Sequence, residues 1–255
     1  MSIRKALYTT LFGLFICAKF NVLMAVICTH QELEGYYKDK NSVLVASPGR
    51  SGSTVLFDSL RKCCPKGYTI LKTHLLVPKK SYSGKIIFIY SDPDKAAESA
   101  LHMCANDAKW GKLHFEHVES SDISWLEDIG STTCQTIDNN LLAYDALGCT
   151  KQLFYWLHAK TMPCELNQAQ ILAIKYENLW DETAQKAIST FLGFSAFKLA
   201  AKKTRGEWMS LSNIEIACKE YHNKGSVNEP RYSAYASARL LWENAPPFQF
   251  LLIKD

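Results

Sequence analysis

The chain has 255 residues, 47% of them hydrophobic and 21% charged, which is enough apolar material for the core of one domain and too much for a disordered chain. Its 29 Lys and Arg against 25 Asp and Glu leave a net charge of +4. That is a slight bias toward an anionic ligand and gives no argument for a nucleic-acid binder.

The N-terminus stands apart from the rest. Arg4 and Lys5 precede an apolar run at 6–18, Lys19 interrupts it, and a second apolar run follows at 20–28, with no acidic residue before Glu32. A basic start and an apolar stretch of this length predict a signal peptide or signal-anchor over residues 1–30. Read through Lys19, the segment is long enough for one membrane span. The competing reading is a helix packed on the domain that occupies 41–255. A secretory or Golgi-type membrane location follows from the first reading, a cytoplasmic one from the second.

Beyond residue 40, short apolar runs alternate with helical patterns. Residues 42–47, SVLVAS, form a strand without a polar face, and helical spacing of Val55, Leu56, Ser59 and Leu60 follows at 53–64. Further strands are predicted at 68–72, 85–90 and 170–177, with helices at 92–104, 139–162 and 181–194, the last capped by Asp181 and closed by Gly193. The stretch 117–134 is polar and reads as loop. A broken helix is expected from 198 to about 221 by its periodicity, and a last helix ends at Pro246 and Pro247. This order predicts an α/β fold: a central parallel sheet flanked by helices in three layers, of the P-loop-like kind.

Nine cysteines are present, at 17, 28, 63, 64, 104, 134, 149, 164 and 218, without zinc-ligand spacing. Cys134, Cys149 and Cys164 could contribute a disulfide in an oxidising compartment; buried free thiols are the alternative.

Chemistry concentrates in two segments. In ASPGRSGSTVL (46–56), Gly49 and Gly52 separate a strand from a helix N-terminus, the geometry in which backbone N–H groups and the helix dipole hold an anion. Arg50 and the hydroxyls of Ser51, Ser53 and Thr54 add direct contacts. The nucleotide P-loop pattern GxxxxGK[ST] is absent, because Ser53 follows Gly52 where a lysine would stand. In LKTHLLVP (71–78), Lys72 and His74 flank one residue at the end of a strand and so share a face. A neutral His74 there can take a proton from an alcohol, and Lys72 beside it can stabilise negative charge on a transferred group.

The motifs SPGRSGSTVL, ILKTHLLVP, KIIFIYSDPDKAAESALHM, ILAIKYENLWDE and FLGF, in this order, resemble those of the sulfotransferases that use 3′-phosphoadenosine 5′-phosphosulfate (PAPS). The resemblance implies that Arg50, Ser51, Gly52, Ser53 and Thr54 hold the 5′-phosphate and sulfonate, that His74 is the general base, and that Lys72 and Arg50 stabilise the transition state. It also implies a 3′-phosphate element over 85–103. Ser99 matches that element's serine, and Ser91 stands where the family has an arginine. Val55 stands where the family has a tryptophan. Arg205, with Lys202 and Lys203 in KKTRGEW, resembles a later basic segment near the 3′-phosphate. No metal is implied. The acceptor is a small-molecule or carbohydrate hydroxyl or amine, chosen by residues in 105–135 and 195–235, where Trp110, His114, His117 and Trp125 are candidate pocket residues. Membrane association is expected through 6–28. Two other readings fit the loop: an ATP-dependent small-molecule kinase with an atypical P-loop, and a degenerate nucleotide-binding protein without activity.

Overall fold

The computed structural model describes residues 28–75, 82–106, 114, 118, 144–158, 170–195, 197–202 and 233–252. Five strands form one sheet: β1 (Ser42–Ala46), β2 (Thr69–Thr73), β3 (Lys85–Tyr90), β4 (Gln170–Lys175) and β5 (Phe248–Leu252). Their spatial order is β2-β1-β3-β4-β5. The first four are parallel and β5 runs antiparallel to β4. The helices are α1 (His30–Glu34), α2 (Ser53–Cys63), α3 (Pro93–Asn106), α4 (Cys149–Leu157), α5 (Glu182–Leu192) and α6 (Ala236–Asn244). Because the chain goes from β1 to one side and then returns to the other, β1 is the switch point of the sheet. The carboxyl end of β1 is the usual ligand position in such sheets.

Strands that read as uniformly apolar divide their residues between two faces, since successive side chains point to opposite sides. Leu44, Ala46, Ile86, Phe88, Tyr90, Ile171 and Ala173 join one core with Ala97 of α3, Trp156 of α4 and Ala238 of α6. Val43, Val45, Ile87, Ile89, Leu172 and Ile174 join the other with Leu56 and Leu60 of α2 and Ile188 and Leu192 of α5. The result is the expected three-layer α/β arrangement around a mostly parallel sheet.

Four details differ from the sequence reading. The packed unit begins by Cys28 rather than at 41: Cys28 N donates to the Lys72 carbonyl at 2.7 Å, and the Thr73 hydroxyl donates to the Cys28 carbonyl at 2.9 Å. Leu33 and Tyr37 enter the core. The apolar residues 1–27 lie outside the described residues; among those described, no helix is long and apolar enough to cross a membrane. Residues 197–202 are not helical. Ala200 N is bonded to the Ser59 hydroxyl and Ala200 O accepts from Trp180 Nε1, so side chains occupy backbone groups that a helix would need. After Pro246 and Pro247 the chain forms β5, a fifth strand not foreseen. Finally, Cys149 is a buried thiol, which removes it from any disulfide, and Cys63 and Cys64 are thiols too; Cys134 and Cys164 lie outside the described residues.

Candidate active site

The loop after β1 is built on left-handed backbone. Gly49 has φ 89°, Arg50 φ 50° and Gly52 φ 77°. Gly52 is also the N-cap of α2 and makes no side-chain cap bond, which leaves the helix's first N–H groups to be met by another acceptor. Among the described residues Arg50 is the one non-glycine with positive φ, at a cost of about 1 kcal/mol. Two serines brace the turn: the Ser47 hydroxyl accepts from Gly49 N at 3.2 Å, and the Ser51 hydroxyl donates to Gly49 O at 2.9 Å. Consecutive N–H groups in this conformation make a concavity for an anion.

Lys72 and His74 leave the end of β2 on one face and reach opposite ends of this loop. Lys72 Nζ donates to Thr54 Oγ1 at 2.8 Å. Burial lowers the Lys72 ammonium to about 8; Asp58 pulls it back up and Arg50 pushes it further down. A buried ammonium that has lost part of its hydration beside an N–H-rich loop is a site that gains from an incoming anion. His74 is buried, and its Nδ1 lies 3.0 Å from the Ser47 carbonyl and 3.1 Å from the Ser47 hydroxyl. A carbonyl can only accept, so Nδ1 carries the proton and Nε2 is the basic nitrogen. From α4, Gln152 Nε2 donates to the His74 carbonyl at 2.6 Å and fixes the backbone behind the imidazole.

Two rings lie against the glycines. A Cβ on Gly49 would overlap the His114 ring, and one on Gly52 would overlap the Tyr176 ring. His114 also packs on His74, with centroids 4.9 Å apart. Tyr176 follows β4 and meets Trp180 edge-on at 5.2 Å. Burial and Glu177 raise the Tyr176 phenol, while Arg50 opposes them.

The remaining candidates divide into two groups. Ser91 donates to the Ser51 hydroxyl at 3.1 Å. Arg50 donates through Nε and Nη2 to the Ser99 hydroxyl at 3.0 and 2.8 Å. The loop and the start of α3 are therefore one polar unit. Next to it, Asp92 N is held by Glu177 Oε1 at 3.0 Å. Ser53 is buried at the first position of α2 and Thr54 is exposed. Arg205, Lys203, Trp110, His117 and Trp125 lie outside the described residues; Lys202 sits over the Trp180 ring at 5.1 Å. Sequence reasoning missed Ser47, Gln152 and Tyr176. Tyr176 was findable, since it directly follows a buried parallel strand at the ligand-binding edge. Among the described residues no group of three or more His, Cys, Asp or Glu could hold a metal ion.

No family model matches the chain, and no curated protein does. Among solved structures, mouse sulfotransferase SULT7A1 complexed with PAP aligns at a TM-score of 0.45 and 14% identity, covering 87% of this chain and 95% of that one.

Proposed function

We propose that this chain is a PAPS-dependent sulfotransferase acting on a hydroxyl or amine of a small-molecule or carbohydrate acceptor. The observation that carries the reading is the convergence of Lys72 and His74 from one strand end onto the anion loop, at Thr54 and Ser47. PAPS supplies an activated sulfonate on a phosphate leaving group. The loop N–H groups, Ser51, Ser53 and Thr54 hold the anionic end, and Lys72 stands where charge accumulates on the leaving oxygen. His74 Nε2 takes the acceptor's proton as its oxygen bonds to sulfur and the sulfur–bridging-oxygen bond breaks.

Ser91 cannot act as a cation, but Arg50 can reach the same region: its guanidinium is bonded to Ser99. We assign Arg50 to the cofactor's 3′-phosphate, with Ser99 and Ser91, and leave the 5′ side to the loop backbone and Lys72. Tyr176 offers an aromatic face beside the loop in place of the tryptophan that Val55 replaces. The apolar residues before Cys28 are read as a signal-anchor that places the enzyme on secretory-pathway membranes.

The test is transfer of labelled sulfonate from PAPS to a panel of sugars, phenols and small alcohols. The wild type is expected to turn over at least one class. His74→Ala is expected to lose about 10²–10⁴-fold in kcat, the usual weight of a positioned base, with binding of 3′,5′-adenosine bisphosphate (PAP) near normal. Wild-type turnover in that variant would remove His74 from the base role.

A further inference from the structure

We propose that His114 is a positioning residue for the base, a ring that wedges between the bare face of Gly49 and the His74 imidazole and fixes the direction in which Nε2 points. This rests on His74 being the base. Three observations carry it. His114 is 2% exposed, although it is a polar residue in a long polar part of the sequence. Its ring lies where a Gly49 side chain would have to be, so the loop glycine makes room for an imidazole as well as for the turn. And it meets the His74 ring at 4.9 Å with the planes tilted 60°.

The physical need is clear from the other restraints. Ser47 O holds Nδ1 and Gln152 holds the backbone carbonyl of His74. The bonds from Nδ1 to Ser47 oppose a turn of the ring about Cβ–Cγ, and Gln152 does not act on the ring itself. A rotation exchanges the ring edges and takes Nε2 away from the acceptor, and an error of about 1 Å at a reacting atom costs on the order of 10²-fold. A second ring packed on the face of the first blocks that rotation. The restraint acts on the base, so its main effect is on kcat, with a smaller one on nucleotide affinity through the contact with Gly49.

Three variants of the full chain separate shape from chemistry. His114→Ala removes the wedge, His114→Phe keeps a ring, and His114→Asn keeps a polar atom without one. His114→Ala is expected to lower kcat about 10–100-fold, with KM for PAPS and affinity for PAP changed far less; His114→Phe is expected to recover most of that loss and His114→Asn little. The ¹⁵N shifts of the His74 imidazole, which need no turnover, should show one Nδ1–H tautomer in the wild type and in His114→Phe, and a mixture in His114→Ala. Full kcat in His114→Ala, a Phe variant no better than Ala, or an unmoved His74 tautomer would each overturn the proposal. If the wild type transfers no sulfonate yet the tautomer shifts as described, the positioning role stands and the sulfotransferase reading falls.

Discussion

Lys72 is the residue whose environment most directly reports the ligand. Its folded value of about 8 lies below the ordinary 10.5, and burial is the main cause. Below pH 8 the ammonium is charged in both folded and unfolded chains, and its full desolvation cost weighs on the fold. Between 8 and 10.5 the folded chain releases the proton first, so stability rises with pH across that window. Lys72→Met should therefore melt higher than wild type at pH 7, by about 2–4 °C for each kcal/mol recovered. The gap should shrink by pH 10, while PAP affinity falls about tenfold or more through the lost charged hydrogen bond. Melting curves at the two pH values check the first part and calorimetry the second; a lower melting point at pH 7 would contradict the burial argument. Arg50 makes a separate prediction. Wild type should prefer PAP to 5′-AMP, and Arg50→Ala should lose about 10–100-fold of that preference, the weight of a charged contact of 1.5–3 kcal/mol, with 5′-AMP binding changed little. Equal loss for both nucleotides would place Arg50 on the 5′ side, as its loop position alone implies. That loop position was readable in the sequence. The bond to Ser99 was not, because it joins residues 49 apart through the tertiary fold.

At the scale of elements, α3 carries Ser99 and its first turn is anchored by a buried ion pair. Asp94 accepts from Arg239 Nε at 2.7 Å and Nη2 at 2.8 Å, with side-chain exposures of 1% for Asp94 and 16% for Arg239. This clamps α6 to the start of α3. Arg239→Ala leaves Asp94 buried without its cation and is expected to cost about 3–5 kcal/mol in urea unfolding. Replacing both partners with apolar residues of similar size should recover most of it. The double variant being no better than the single would show that the pair is not the source of the loss. The strands β1, β3 and β4 were legible because buried parallel strands are continuous apolar runs of Ile, Val and Leu. β5 was not: it is an edge strand behind two prolines, with Phe250 exposed, and five residues of mixed burial give little period. The first residues of the helix expected from 198, those at 198–202, are not helical for a related reason, since bonds from Ser59 and Trp180 decide that backbone and neither is local.

At the scale of the molecule, the sheet order puts the anion loop at the switch point and brings β2, with Lys72 and His74, alongside it. β1 and β2 are in register, so that Ala46 pairs with Thr73, and the loop starts level with the strand end that carries Lys72 and His74. Cys28 bonds to the same strand at Lys72 and Thr73. Under the proposed function, the loop, the Lys72–His74 pair and the Arg50–Ser99 bond form a site for a nucleotide with anions at both its 5′ and 3′ positions. The most direct measurement is calorimetric titration of the full chain with PAP and, separately, with ATP and magnesium. The account predicts PAP binding with Kd below about 1 μM, near −8 kcal/mol, and weaker binding of ATP. A preference for ATP with magnesium, or binding of neither nucleotide, would contradict it.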